Sequence, residues 1–262
     1  MAQFHCNFHS YSLGYPIDIQ VTIPSISSCD GRDGKPVSHN VAAKFPVLYL
    51  LHGGGNDYRC WLRYTSAERY AEEHYIALVT CSVGGSAYEN REYGKFFDLL
   101  SKEIPEFVCN YFPISDRPED TYMCGYSMGG YGTIAHTFST PERFAAVGFF
   151  SPGIFAKPQS DTTSADAPFR RTLHFDAFDL AAEAKKNGTK LPKIFMCVGQ
   201  NDFLYQTCEK YHAHLNELGI EHRYDSVPNF EHEFAIWDIE LEKFMDWLPR
   251  TDYYADKIPH KI

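Results

Sequence analysis

The sequence predicts an α/β domain, with a mainly parallel central sheet, helices on both faces and an N-terminal antiparallel hairpin. Two observations predict it. Short apolar runs recur along the chain with helix-like stretches between them, and such alternation implies a parallel sheet covered on both sides. The stretch up to Ile23 instead alternates apolar and polar residues about a turn, as half-buried paired strands do. A chain of 262 residues suits one large domain, 1–262, better than two ordinary ones.

The hairpin strands are expected around Phe4 to Ser12 and Ile17 to Ile23, flanking Gly14-Tyr15-Pro16, since glycine and proline punctuate turns. Core strands follow at Phe45 to Leu51, Ile76 to Cys81, Tyr122 to Gly125, Ala145 to Phe150, Ile194 to Val198 and His222 to Val227. Helices are expected at Leu62 to Glu73, Phe96 to Tyr111, Gly130 to Phe138, Leu204 to Leu218 and Ala235 to Trp247, where apolar positions recur at helical spacing. Two stretches interrupt the pattern. Ser25 to Ala43, rich in Ser, Gly and Asp, reads as a surface loop. Pro152 to Leu191 mixes turn residues with Phe155, Phe169, Phe175 and Phe178, and two readings of 152–191 stand open: a lid or cap over the site, or a surface excursion packed on its own aromatics.

The net charge of −10, with acidic residues dispersed, argues against nucleic acid or an anionic membrane surface as a partner. No basic segment followed by an apolar one opens the chain and no apolar run is long enough to span a bilayer, so a soluble, unexported, cytoplasmic protein is expected. The eight cysteines are scattered with no C-x-x-C pair. Those inside apolar runs, Cys81, Cys124 and Cys197, are expected as buried reduced thiols. Asn187-Gly188-Thr189 matches a glycosylation acceptor but reads as a turn.

The chemistry gathers around Gly125-Tyr126-Ser127-Met128-Gly129. A serine between two glycines, after a short apolar run and before a helix, reads as a nucleophile elbow. Its backbone is strained, side chains two residues to either side would collide, and the Met128 N–H at the helix start can donate to a developing oxyanion. Such a serine needs a base, and the base needs a carboxylate. Asp202 lies just beyond the run Ile194 to Val198, and His232 between the last apolar run and the final helix. The order Ser127, Asp202, His232 is the one expected of an α/β-hydrolase. Leu50-Leu51-His52-Gly53-Gly54-Gly55 follows its own strand, and glycines there let a backbone N–H approach a substrate oxygen. This chemistry requires no cofactor or metal. His212 and His214, two apart on a helix, point in different directions and do not suggest a metal site.

These residues carry a resemblance over nearly the whole chain to the esterase D group of α/β-hydrolases, which includes S-formylglutathione hydrolases. Within it the chain is most similar to the tributyrin esterase and cinnamoyl (feruloyl) esterase branch. The carrying segments are Ser10-Tyr11-Ser12-Leu13, Val21-Thr22-Ile23-Pro24, Leu51-His52-Gly53, Trp61-Leu62-Arg63-Tyr64-Thr65, Gly125 to Gly132, Gly199-Gln200-Asn201-Asp202-Phe203-Leu204 and His232. The resemblance implies that the residue two after the loop histidine, here Gly54, donates to the oxyanion. The family often has a bulkier residue there, which implies a roomier acyl slot or a more mobile loop in this chain.

The expected activity is a serine carboxylesterase acting on acetyl to butyryl esters, acylated sugars included, through Ser127, His232 and Asp202 and an acyl-enzyme, with Gly54 and Met128 as the oxyanion hole. Its partner is then a small-molecule ester. Trp61, Phe203 and Leu204 are candidate substrate-binding residues, with core packing as the alternative for each. A feruloyl esterase is the main rival. S-formylglutathione hydrolysis is less favoured because those relatives generally lack His-Gly-Gly-Gly in the loop; acyl transfer to an alcohol and a non-catalytic scaffold are also allowed by the fold. Exposed apolar residues in 152–191 would equally serve a homo-oligomer interface.

Overall fold

In the computed structural model, residues 1–26, 30, 37–154 and 175–257 are described. The hairpin forms as strands β1 (Ala2–His9) and β2 (Pro16–Ile23), paired antiparallel so that Phe4 faces Val21 and Phe8 faces Ile17. The chain then lays down β3 (Val47–Leu51), β4 (Ala77–Cys81), the short ribbon strands β5 (Asn90–Arg91) and β6 (Gly94–Lys95), β7 (Thr121–Tyr126), β8 (Ala146–Phe150), β9 (Lys193–Gly199) and β10 (Arg223–Val227). The main sheet has the order β1-β2-β4-β3-β7-β8-β9-β10. It is parallel from β4 to β10, and β2 alone runs antiparallel to its neighbours β1 and β4.

The α/β-hydrolase architecture expected from the sequence is therefore present. Its central strands are buried along their length, as in VLYLL of β3 and ALVTC of β4, because each face has its own cover. Val47, Tyr49 and Leu51 belong to one apolar layer and Leu48 and Leu50 to the other, the period-two alternation of a strand. The first layer takes up Tyr131, Ile134 and Phe138 of the helix after the elbow, the second Trp61, Tyr70, Ile236 and Phe244. Cys81, Cys124 and Cys197 are buried free thiols, and burial raises each thiol's pKa.

Three helical segments differ from expectation. The stretch from Leu62 to Glu73 is two helices, α1 (Cys60–Tyr64) and α2 (Ala67–Glu73). Thr65 is extended, with φ −134° and ψ 171°, and the Ser66 N–H donates to Asp238 Oδ1 at 2.6 Å, so a carboxylate from a distant helix stabilises the break. Phe96 to Tyr111 is helical but changes pitch: α3 (Phe96–Asp98) passes into a π-helical segment (Leu99–Glu103) before α4 (Ile104–Tyr111). Pro105 has no N–H to return to Ser101. Within 152–191, residues 155–174 and with them Phe155 and Phe169 lie outside the described residues. Ala177–Lys186 forms a helix, α6, which the sequence reading did not anticipate. It follows the nucleophile helix α5 (Met128–Ser139) and precedes α7 (Tyr205–Glu217) and α8 (Phe234–Trp247).

The Asn187-Gly188-Thr189 turn ends α6. Gly188 has φ +63°, and the Gly188 and Thr189 N–H groups return to Lys185 O and Ala184 O, the left-handed helix stop that glycine favours. Of the predicted loop Ser25 to Ala43, residues 27–29 and 31–36 lie outside the described residues. No helix among the described residues is long and apolar enough to cross a membrane.

Candidate active site

Strand β7 delivers Ser127 at its C-terminal end, directly before α5. Ser127 has φ 55° and ψ −118°, a conformation that L-residues rarely adopt and that costs on the order of 1–3 kcal/mol. The backbone around it is tied down on both sides: Ser127 N–H donates to Phe150 O at 2.9 Å and Gly153 N–H to Ser127 O at 2.8 Å. The flanking glycines are steric necessities. A Cβ on Gly125 would collide with the Gly129 carbonyl, and one on Gly129 with the Leu51 and His52 carbonyls. The second collision shows how closely the start of α5 packs on the loop after β3. Met128 is the first residue of α5 and is buried.

Asp202 and His232 come together from adjacent strand ends. His232 Nδ1 lies 2.8 Å from Asp202 Oδ2, while Asp202 Oδ1 accepts from the Leu204 N–H at 2.8 Å. The carboxylate is buried and the imidazole half-buried. A carboxylate on Nδ1 keeps the proton there and leaves Nε2 as the acceptor, the tautomer a general base needs. The two loops are stitched by main chain: Gln200 N–H donates to Val227 O and Asn201 N–H to Phe230 O. A Cβ on Gly199 would strike the Phe230 carbonyl, so this glycine permits the docking that brings the pair together.

Aromatic rings join the pair to the elbow. Trp237, on the helix after the histidine loop, meets the His232 ring edge-on at 5.0 Å and stacks on Tyr126, the residue before Ser127, at 4.2 Å. Gly53 closes the other side, since a Cβ there would stand 3.3 Å from Ser127 Cβ. Gly54 is exposed beside it.

The three candidate substrate contacts separate. The Phe203 ring is 76% exposed and 4.6 Å from the His232 ring, at the mouth of the site. Leu204 is half-buried against the first apolar layer. Trp61 is 1% exposed, packed edge-on against Tyr126 and Phe150, with its Nε1–H donating to Leu51 O at 2.9 Å. Its position is that of the core-packing alternative. His212 and His214 diverge, the first meeting His222 Nε2 at 2.7 Å and the second Phe178 O at 3.1 Å.

Sequence reasoning gave no role to Tyr88 or to the side chain of His52. Both are buried. Tyr88 OH donates to His52 O at 2.8 Å, and Val83 N–H donates to His52 Nε2 at 3.1 Å. The only signal for Tyr88 is its place after Gly84-Gly85-Ser86, where Ala87 and Tyr88 both take positive φ.

Comparison with known proteins places the chain among esterases. The profile of the Esterase family, described as "Putative esterase", matches residues 34–247. An acetyl esterase of Caldicellulosiruptor saccharolyticus is 27% identical over 271 residues, spanning 96% of this chain and 99% of that one. Among solved structures, the fluorophosphonate-binding serine hydrolase FphF of Staphylococcus aureus superposes with a TM-score of 0.80 at 28% identity, covering 95% of this chain and 99% of its own. The S-formylglutathione hydrolase FrmB of the same organism gives 0.79 at 28% identity, with 94% and 98% covered.

Proposed function

Because the chain belongs to the Esterase family and is a carboxylesterase-type serine hydrolase of the esterase D group, we propose that Ser127, His232 and Asp202 are its catalytic triad. The Gly54 and Met128 N–H groups form its oxyanion hole, and short-chain acyl esters, acetyl to butyryl, are its substrates. The observation that carries the assignment is the 2.8 Å contact of His232 Nδ1 with the buried Asp202 carboxylate, on a loop stacked through Trp237 onto the strained serine turn.

In this reading the Ser127 hydroxyl gives its proton to His232 Nε2 as Oγ attacks the ester carbonyl carbon. The negative charge passes to the carbonyl oxygen, held by the two N–H groups. Collapse expels the alcohol, which takes the proton from His232, and the acyl group stays on Ser127. Water, deprotonated by the same imidazole, then attacks the acyl-enzyme, and collapse frees the acid as His232 returns the proton to Ser127 Oγ. Asp202 stays ionised and stabilises the imidazolium. The short-chain reading is supported by the acetyl esterase relative.

A thioester reading has one observation in its favour, the likeness to FrmB. Initial rates on nitrophenyl acetate, butyrate and octanoate, ethyl ferulate and S-formylglutathione test both, for wild type and Ser127→Ala. An acetate or butyrate optimum abolished in Ser127→Ala supports the proposal. An S-formylglutathione or ferulate optimum reassigns the substrate, and activity surviving in Ser127→Ala overturns the mechanism.

A further inference from the structure

Three successive carbonyls, at the last residue of β3 and the first two of the loop after it, are each held by a buried side chain. Leu51 O accepts from Trp61 Nε1–H at 2.9 Å, His52 O from Tyr88 OH at 2.8 Å, and Gly53 O lies 2.7 Å from His52 Nδ1. The last contact has a defined direction. Val83 N–H donates to His52 Nε2 at 3.1 Å, which needs the lone pair of that nitrogen. In a neutral imidazole the proton must then sit on Nδ1, which donates to Gly53 O. Burial lowers the pKa of His52, which favours this neutral form.

The Gly53 carbonyl shares a peptide plane with the Gly54 N–H. The bond is trans, and in a trans peptide the C=O and N–H point in opposite directions. Whatever fixes the carbonyl also aims the N–H. Besides His52, this carbonyl has only the longer contact of the Asn56 N–H at 3.3 Å, and glycine at both positions restricts φ and ψ least, so the short Nδ1 contact is the main restraint on the plane. We infer that His52 is a positioning residue for the oxyanion: by holding the Gly53 carbonyl through Nδ1–H, with Val83 N–H fixing the tautomer, it aims the Gly54 N–H as an oxyanion donor. The role of Trp61 follows from the same geometry: it braces the first peptide of the loop instead of lining an acyl pocket. This inference rests on the proposed role of Gly54 as donor.

Two substitutions separate aiming from support. In His52→Gln the amide reaches the place of Nε2 and keeps a partner for Val83 N–H, but Gly53 O keeps only its longer contact, 3.3 Å from the Asn56 N–H. In His52→Asn the amide nitrogen takes the place of Nδ1 and retains that donation while Val83 loses its acceptor. His52→Gln is expected to lower kcat on nitrophenyl acetate by roughly 100-fold, the scale of a lost oxyanion donor, with KM changed less than about threefold. Affinity for a trifluoromethyl ketone, whose adduct carries the oxyanion, falls in parallel. His52→Asn recovers most of that turnover. Equal losses in the two variants, or a loss confined to KM, would overturn the inference. If Ser127→Ala keeps activity, the triad assignment fails instead. Should His52→Gln not fold, nitrogen NMR of the wild-type imidazole decides: an Nδ1-protonated His52 is required, and an Nε2-protonated one rules it out.

Discussion

The Trp237 indole lies over the Tyr126 ring with centroids 4.2 Å apart and planes 19° from parallel. Helix α8 is thereby stacked on the residue that precedes Ser127. Trp237 also meets the His232 ring edge-on and donates from Nε1 to the buried Ser151 Oγ at 3.1 Å. One side chain therefore touches both the proposed base and the residue next to the proposed nucleophile. Offset and edge-on aromatic contacts each add about 0.5–1.5 kcal/mol beyond burial, enough to hold a ring at a defined separation.

Trp237→Phe keeps a ring on Tyr126 but loses the bond to Ser151, leaving a buried hydroxyl without that donor. The expected cost is about 1–2 kcal/mol of stability with kcat reduced less than about threefold. Trp237→Leu removes the stack. Its kcat, measured well below the melting transition, is expected to fall at least about tenfold, because small misplacements of a catalytic base are costly. Equal kcat in the two variants would show that the stack does not position His232.

Ser127 at φ 55° predicts a conflict between stability and activity. Glycine takes that backbone conformation without strain but adds entropy to the unfolded chain. Ser127→Gly is expected to be inactive yet more stable than Ser127→Ala by about 1 kcal/mol, read as urea midpoints under one set of conditions. Ser127→Ala as the more stable of the two would mean that the turn carries no strain.

The parallel sheet was legible because its central strands are buried on both faces and read as largely apolar runs, as VLYLL and ALVTC do. Asp202 stood out because it follows such a run, Ile194 to Val198, within a few residues, and His232 because it lies between the last strand, half-buried RYDSV, and the final helix. The features that the sequence missed or left open depend on partners it does not show. The break at Thr65-Ser66 is decided by Asp238, and the core-packing alternative for Trp61 is favoured by its bond to the Leu51 carbonyl of the preceding strand. A tryptophan lining a pocket and one bracing a loop look alike in sequence. Helix α6 escaped for another reason: its buried positions are Ala177, Ala181 and Ala184, at helical spacing but too small for a strong apolar signal. Its N-cap Asp176, which accepts from the Phe178 and Asp179 N–H groups, was the available sign.

Phe203 offers a test of the site mouth. A phenylalanine that is 76% exposed contributes little to the core, so Phe203→Ala is expected to change stability by less than about 0.5 kcal/mol. Its ring stands 4.6 Å from His232, where an acyl or alcohol group would pass. KM for nitrophenyl butyrate is expected to rise several-fold in Phe203→Ala with little change for the acetate. An unchanged ratio between the two esters would remove Phe203 from the substrate path.

His136 predicts how the fold responds to acid. It is fully buried on α5 and stacked on Phe97 at 4.2 Å, and neither ring nitrogen has a hydrogen-bond partner among the described residues. Burial, aided by the nearby Arg143 guanidinium, lowers its pKa to about 3 from a usual 6.5. Between those values the unfolded chain carries a proton on this imidazole that the folded chain does not. Stability from the neutral ring is therefore complete above pH 6.5 and is lost as the pH falls towards 3. Each unit costs up to about 1.4 kcal/mol, or about 2 kcal/mol at pH 5. Leucine at this position cannot titrate, so urea midpoints of wild type and His136→Leu at pH 7.5 and 5.0 isolate the effect. Wild type is expected to lose about 2 kcal/mol more than the variant between the two pH values. Equal losses would show that the buried imidazole is protonated in the folded state as readily as in the unfolded one.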